Sequence, residues 1–154
     1  MELSDLIGLD DVIVPMRVSS KRQLLNDLAE VASKKTGLAC REIFDALLQR
    51  ERLGSTGLGN GIAIPHGKFP ELTAITGIFA RLEKPIDFDA MDDQPVDLIF
   101  LLLAPDGSGA EHLKALARIA RVFRDPAIVE KLRKAPAKDV AYSLLIDTAA
   151  SHAA

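Results

Sequence analysis

Three side chains in this 154-residue chain have the types and settings for group-transfer chemistry: His66, His112 and Arg50. His66 stands between Pro65 and Gly67, just after the apolar run Ile62-Ala63-Ile64. Pro65 fixes its own φ and drives Ile64 toward an extended conformation. Gly67 is expected to let the backbone turn sharply. Ile62 to Ile64 therefore read as a buried strand, with His66 where that strand ends and a loop begins. An imidazole on so stiff a mount changes charge near neutral pH and can attack as a nucleophile. That suits taking up and passing on a group such as phosphoryl. The plainer reading is a polar residue that merely ends a strand. The neighbourhood favours chemistry: Gly57, Gly59, Gly61 and Gly67 are expected to let backbone approach a ligand closely, and Ser55 and Thr56 offer hydroxyls. The spacing is not that of a P-loop, because no Lys-Ser or Lys-Thr follows the glycines.

The other two residues need a scaffold to meet His66. If Ser108 caps a helix, with Glu111 completing a capping box, His112 falls in the first turn. The positive end of the helix dipole favours a neutral ring there, and free amides of that turn can help hold an anion. A solvent-facing histidine is the alternative. Arg50 ends an earlier helix, where a cation is favoured in any case. Its planar guanidinium also matches phosphate oxygens, and Arg52 competes for the same role. His152 lies in a tail that is expected to fray from Ser151, and no role is assigned to it.

Other charged groups read as structural. Asp87, Asp89, Asp92, Asp93 and Asp97 do not follow the spacing of a calcium loop and are expected to be turn formers in a hairpin. Lys114, Arg118 and Arg121 form a basic stripe on the helix of His112, a solvated face or one that meets an acidic partner. Cys40 has no Cys or His near it in sequence, so neither a disulfide nor a zinc site is expected.

The elements that must position these groups follow from periodicity. Val12–Val14 is a strand candidate ended by Pro15. Ser20, with Gln23 three residues on, opens a helix whose apolar stripe runs Leu24, Leu25, Leu28, Val31, Ala32 and which Gly37 stops. A second helix from about Arg41 to Glu51 turns Ile43, Phe44, Leu47 and Leu48 to one face. A loop Gly54–Gly61 leads to the strand before His66. Thr73–Leu82 reads as a strand broken at Lys84-Pro85, and Ile86–Phe88 as a short strand. Val96–Ala104 is almost continuously apolar, which predicts a strand covered on both faces. After the turn Pro105-Asp106-Gly107, helices are expected from Ser108 to about Phe123, from Asp125-Pro126 to Lys134, and from Val140 to about Thr148, capped by Asp139. Residues 1–154 read as one α/β domain of three layers. Its mixed sheet has about five strands, with helices on both faces.

Bulk properties exclude several classes. The net charge of −3, the absence of Trp and the single Tyr argue against nucleic acid. The longest apolar run, Leu98–Ala104, is too short to span a bilayer. The acidic start Met1-Glu2-Leu3-Ser4-Asp5 lacks the pattern of a signal peptide. A cytoplasmic location without membrane insertion is expected.

The block from Arg50 to Gly67, Arg-Glu-Arg-Leu-Gly-Ser-Thr-Gly-Leu-Gly-Asn-Gly-Ile-Ala-Ile-Pro-His-Gly, resembles the active-site block of enzyme IIA proteins of the bacterial phosphoenolpyruvate-dependent phosphotransferase system. The mannitol/fructose type matches, and within it the nitrogen-regulatory branch. Pro85–Ala90, Gln94–Leu98 and His112-Leu113 extend the likeness, which covers about Asp5 to Asp147. The resemblance implies that His66 accepts a phosphoryl group from an HPr-like phosphocarrier protein. It implies that His112 supports the phosphorylated ring by hydrogen bonding, and that Arg50 rather than Arg52 stabilises the phosphate. It implies no metal and no organic cofactor. The regulated proteins it implies are potassium-transport regulators, sensor kinases or stringent-response enzymes. The rivals are a sugar-transport enzyme IIA that passes phosphate to a IIB domain, a binding module without phosphotransfer, and a two-histidine hydrolase.

Overall fold

The computed structural model describes residues 2–153, with side chains through residue 150. Two helical turns, α1 (Leu3–Leu6) and a 3-10 turn (Leu9–Asp11), lead into β1 (Val12–Met16). There follow α2 (Lys21–Thr36), α3 (Cys40–Arg52), β2 (Gly57–Gly59), β3 (Ile62–Ala63), β4 (His66–Phe69), β5 (Thr76–Ile86), β6 (Val96–Pro105), α4 (Gly109–Phe123), α5 (Pro126–Lys134) and α6 (Lys138–Ala153). Among the described residues six strands form one sheet in the order β1-β5-β6-β3-β2, with β4 also pairing β6. The sheet is mixed, as expected. β5 runs antiparallel to β6, while β1 pairs β5, and β3 and β4 pair β6, in parallel.

Strand β6 is the axis of the molecule. Ile99, Leu101 and Leu103 face a core filled by α2 and α3; Leu98, Phe100 and Leu102 face a second core filled by α1, α4, α5 and α6. Alternate residues of a strand point to opposite faces, so a run that is apolar at every position needs a cover on each side. That is the three-layer arrangement the sequence predicts.

Local signals explain both ends of α2 and the start of α5. The Ser20 hydroxyl accepts the Gln23 amide at 3.1 Å, and Gln23 in return accepts the Ser19 amide at 2.8 Å, one residue earlier than a standard capping box. Gly37 closes α2 at φ 81, a left-handed value that favours glycine. Asp125 caps α5 by accepting the Ala127 amide at 3.0 Å. Cys40 opens α3 and is half-buried.

Four expectations are corrected. Pro15 does not end the first strand: β1, at the sheet's edge, passes through it, and the register against β5 shifts between Ile13 and Met16, so Pro15 sits in an irregularity of the ladder. Pro85 does not break β5 either. The register against β6 shifts between Arg81 and Ile86, so Pro85 sits inside an irregularity that needs no donor from it, and no separate Ile86–Phe88 strand forms. Gly54–Gly61 is not all loop: Gly57–Gly59 pairs with β3 through the turn Asn60-Gly61, at φ 57 and φ 82. The last helix starts at Lys138, with Asp139 in its first turn, and continues through Ala153 in place of a tail frayed from Ser151. The side chain of His152, and Ala154, lie outside the described residues.

The acidic residues resolve into separate roles. Asp87 accepts the Asp89 amide at 3.0 Å and Asp92 the Gln94 amide at 3.1 Å, both local turn bonds. Asp97 instead pairs with Arg133 at 3.0 Å, and Arg133 also donates to the Asn60 carbonyl at 2.6 Å, pinning the β2–β3 hairpin to α5.

Candidate functional site

His66, Arg50 and His112 converge on one groove of about 800 Å3 between the C-terminal end of α3, strand β4 and the N-terminal end of α4. The groove is also lined by Lys68, Arg52, Leu53 and Leu113. His66 does not stand at the start of a loop. It is the first residue of β4, in parallel register with Leu102. The reason is local: Pro65 gives no N–H, the Ile64 amide turns aside to the Thr56 carbonyl at 3.1 Å, and the ladder resumes when the Leu102 amide meets the Pro65 carbonyl at 3.0 Å. Gly67 is likewise a strand residue and not a turn. A Cβ there would come within 3.3 Å of the Phe69 ring, so its small size serves packing. Gly57, Gly59 and Gly61 belong to the hairpin and do not line this groove.

Both ring nitrogens of His66 are held. Nδ1 lies 2.8 Å from the Ile64 carbonyl, an acceptor only, so Nδ1 carries the proton and donates it. Nε2 then presents its lone pair, which accepts from Arg50 Nε at 3.3 Å. Arg50 is fixed in turn by donating from Nη1 to the Gly54 carbonyl at 2.9 Å. Burial pushes the His66 imidazole below its ordinary value. The Ile64 carbonyl opposes that shift, and Arg50 reinforces it. The ring is therefore neutral at neutral pH, with the tautomer chosen and the Nε2 lone pair on a ring that lines the groove.

His112 sits in the first turn of α4, its amide bonded to the Ser108 carbonyl at 2.8 Å. It is not solvent-facing: only 6 % is exposed, and Nε2 is buried without a hydrogen-bond partner. Its ring meets that of His66 edge-on, centroids 5.4 Å apart at 75°. Its imidazole is also lowered, by burial first and then by the neighbouring His66 and Lys68. The expected neutral ring is present, but burial and not the helix dipole is its leading cause. The predicted capping box of α4 does not form. The Ser108 hydroxyl donates to the Pro105 carbonyl at 2.6 Å, which leaves the first-turn amides of α4 without a side-chain cap.

Arg52 lines the groove, but the bond to His66 comes from Arg50. The Ser55 and Thr56 hydroxyls do not face an incoming group. Ser55 donates to the Phe88 carbonyl at 3.2 Å, and Thr56 donates to the Glu51 carboxylate. Sequence reasoning missed two groups near the site. One is Lys68, whose charge acts on both histidines. The other is Glu51, buried and next to Arg50 in sequence. The signal for Glu51 was its spacing, which continues the buried stripe Ile43, Leu47 at four-residue steps. The same rule marks His112, in step with Ala115, Ile119 and Val122. Among the described residues no helix is long and apolar enough to cross a membrane, and no His/Cys/Asp/Glu group is placed to hold a metal ion.

A neutral, oriented imidazole, a guanidinium on its reactive nitrogen and uncapped helix amides across the groove make a cradle for a transferring anionic group. The family model for "Phosphoenolpyruvate-dependent sugar phosphotransferase system, EIIA 2" matches residues 5–148. A nitrogen regulatory protein of Bradyrhizobium diazoefficiens is 54 % identical over 145 residues, which cover 94 % of this chain and 95 % of that protein. The Escherichia coli nitrogen regulatory protein is 41 % identical over 149 residues, 96 % of this chain and 91 % of its own. Nitrogen regulatory protein IIA-Ntr from Neisseria meningitidis has the same fold at a TM-score of 0.89 and 36 % identity, covering 93 % of this chain and 98 % of that one. The chain thus belongs to the EIIA 2 family of the phosphoenolpyruvate-dependent sugar phosphotransferase system.

Proposed function

We propose that His66 carries the phosphoryl group of this phosphocarrier, and that the protein acts as a regulator whose phosphorylation state is read by partner proteins. Residues 1–154 work as one enzyme IIA unit. The donor is the phosphohistidine of an HPr-like carrier. The Nε2 lone pair of His66 attacks phosphorus as the carrier's P–N bond breaks, and the electron pair of that bond returns to the carrier's ring nitrogen. The His66 ring keeps its Nδ1 proton, and the Ile64 carbonyl steadies the positive charge the ring acquires. Arg50 turns its donors from Nε2 to the phosphoryl oxygens. His112 offers its ring to the same oxygens. The observation that carries this reading is the pair of bonds on His66, 2.8 Å at Nδ1 and 3.3 Å at Nε2, which leaves one nitrogen as the nucleophile.

The relatives named nitrogen regulatory proteins support a regulatory role. Potassium-transport regulators, sensor kinases or stringent-response enzymes are the regulated class of this proposal. The test is incubation with phosphoenolpyruvate, enzyme I and the carrier. One acid-labile phosphoryl group is expected on wild type and none on His66→Ala. Capture of cytosolic partners by phosphorylated and unphosphorylated protein then tests the regulatory part. Identical partner sets for the two forms would leave a binding module indifferent to phosphate.

A further inference from the structure

Glu51 is an anomaly in its surroundings. It lies in the last turn of α3, where the helix dipole disfavours a carboxylate, and it is only 7 % exposed. A buried carboxylate is tolerated when it is paired and hydrogen-bonded. Glu51 meets both conditions. Oε1 accepts from the Thr56 amide at 3.0 Å and lies 3.1 Å from Lys21 Nζ, and Oε2 accepts the Thr56 hydroxyl. Lys21 is itself anchored, its ammonium 4.3 Å from the centre of the Phe88 ring.

The consequence is in what Thr56 touches next. Its carbonyl accepts the Ile64 amide at 3.1 Å, and the carbonyl of Ile64 accepts Nδ1–H of His66 at 2.8 Å. On the other side, the Gly54 amide bonds back to the Glu51 carbonyl at 3.1 Å, and the Gly54 carbonyl holds Arg50, which holds Nε2. The carboxylate thus ties down Thr56, whose carbonyl leads through Ile64 to Nδ1, while the backbone carbonyl of Glu51 holds Gly54, whose carbonyl leads through Arg50 to Nε2.

Building on the proposed role of His66, we infer that Glu51 is a positioning residue for phosphoryl transfer: held by Lys21 and Thr56, it locks the tautomer and aim of the His66 ring. It takes up neither proton nor phosphoryl group and faces the interior, away from any docked carrier. Its negative charge also supports protonation of His66, so its removal adds to the depression of that ring.

The test uses the full chain with Glu51→Gln, Thr56→Val and Thr56→Ser. Nitrogen-15 NMR of the unphosphorylated proteins reports the His66 tautomer. Single-turnover transfer from the phosphorylated carrier gives the saturating rate, the half-saturating carrier concentration and the pH profile. Expected are a mixture of Nδ1–H and Nε2–H rings in Glu51→Gln and Thr56→Val, a tenfold or larger fall in saturating rate and an unchanged half-saturating concentration. The acid limb of Glu51→Gln moves to lower pH. Thr56→Ser, which keeps the hydroxyl, restores both tautomer and rate. A folded Glu51→Gln with the wild-type tautomer and rate overturns the inference. If Glu51→Gln does not fold, the Thr56 pair decides: equal tautomers and rates in Val and Ser overturn it. If wild type takes up no phosphoryl group, the reading of His66 fails, while the tautomer still decides the clamp.

Discussion

The two walls of the groove hold their histidines in opposite ways. On the α3–β4 wall every polar contact of His66 is taken: a carbonyl on Nδ1, a guanidinium on Nε2, and behind them a buried carboxylate with its own partners. On the α4 wall His112 is more deeply buried, yet its Nε2 touches no partner, and the serine before the helix bonds away from the first-turn amides. A buried, unpaired nitrogen is a cost to the folded protein. The contrast teaches a division of labour. One wall holds both ring nitrogens of its histidine in advance, and the other leaves a ring nitrogen without a partner; on the proposed function the first aims the nucleophile and the second has a hydrogen bond to offer the transferred group. The rim fits the arrival of a partner, since Leu53 and Leu113 are 85 % and 69 % exposed on either side.

The comparison is broken most directly at His66. His66→Ala removes the lone pair and is expected to abolish phosphorylation, measured as acid-labile phosphate. Phosphate that maps by peptide analysis to His112 would reverse the two walls. Arg50→Ala comes next. It removes a charged donor from the reactive nitrogen, at a cost of about 1.5–3 kcal/mol in the transfer step. That is roughly a 10- to 150-fold slower single turnover, with the fold intact by circular dichroism. A slowed Arg52→Ala beside an unchanged Arg50→Ala would move the role two residues along the helix.

How much of this was legible depends on how far apart the partners lie. His66, Arg50 and His112 stand out by residue type and by family wording, and the three layers follow from the unbroken apolarity of β6. The hairpin turn Asn60-Gly61 carried a strong local signal that a loop reading passed over. Pro15 and Pro85 misled, because a proline penalty depends on whether a neighbour strand needs its N–H, which is tertiary information. Glu51 was legible in principle. Its spacing from Ile43 and Leu47 marks a buried position, but its type suggests solvent, and the Lys21 that neutralises it lies on another helix. The bond of Arg133 to Asp97 spans 36 positions and has no local trace.

The α4 wall is sharpened by His112→Ala and His112→Gln. A neutral hydrogen bond is worth about 0.5–1.5 kcal/mol, so His112→Ala should still be phosphorylated on His66 but transfer onward roughly 2- to 12-fold more slowly. Gln keeps a donor and an acceptor and should lie between Ala and wild type. The measurement is the time course of onward transfer and of hydrolysis. Three coincident courses would reduce His112 to packing.

The smallest effect expected is on stability against pH, and it tests whether both walls keep their rings neutral. Each histidine is lowered from 6.5, with burial the leading cause in both. Above 6.5 the folded and unfolded chains both carry neutral rings, and these groups add no pH dependence. As pH falls below 6.5 the unfolded chain takes up protons first, while the folded one resists until its own lower values are reached. Stability is therefore lost on acidification from 6.5 downward, and the loss levels off below the folded values. Asp92 is also lowered from 3.8, by the Asn60 and Gln94 amides first, so its own contribution falls below this window. Thermal unfolding between pH 7 and pH 5 should steepen with acid in wild type and less so in His66→Gln or His112→Gln, each of which removes one titrating ring. At pH 7 the His112→Leu protein should be at least as stable as wild type, because it trades an unpaired buried nitrogen for an apolar side chain of similar reach. A wild-type melting temperature flat across this window would mean that the folded protein admits the protons, and that neither ring is held neutral by its wall.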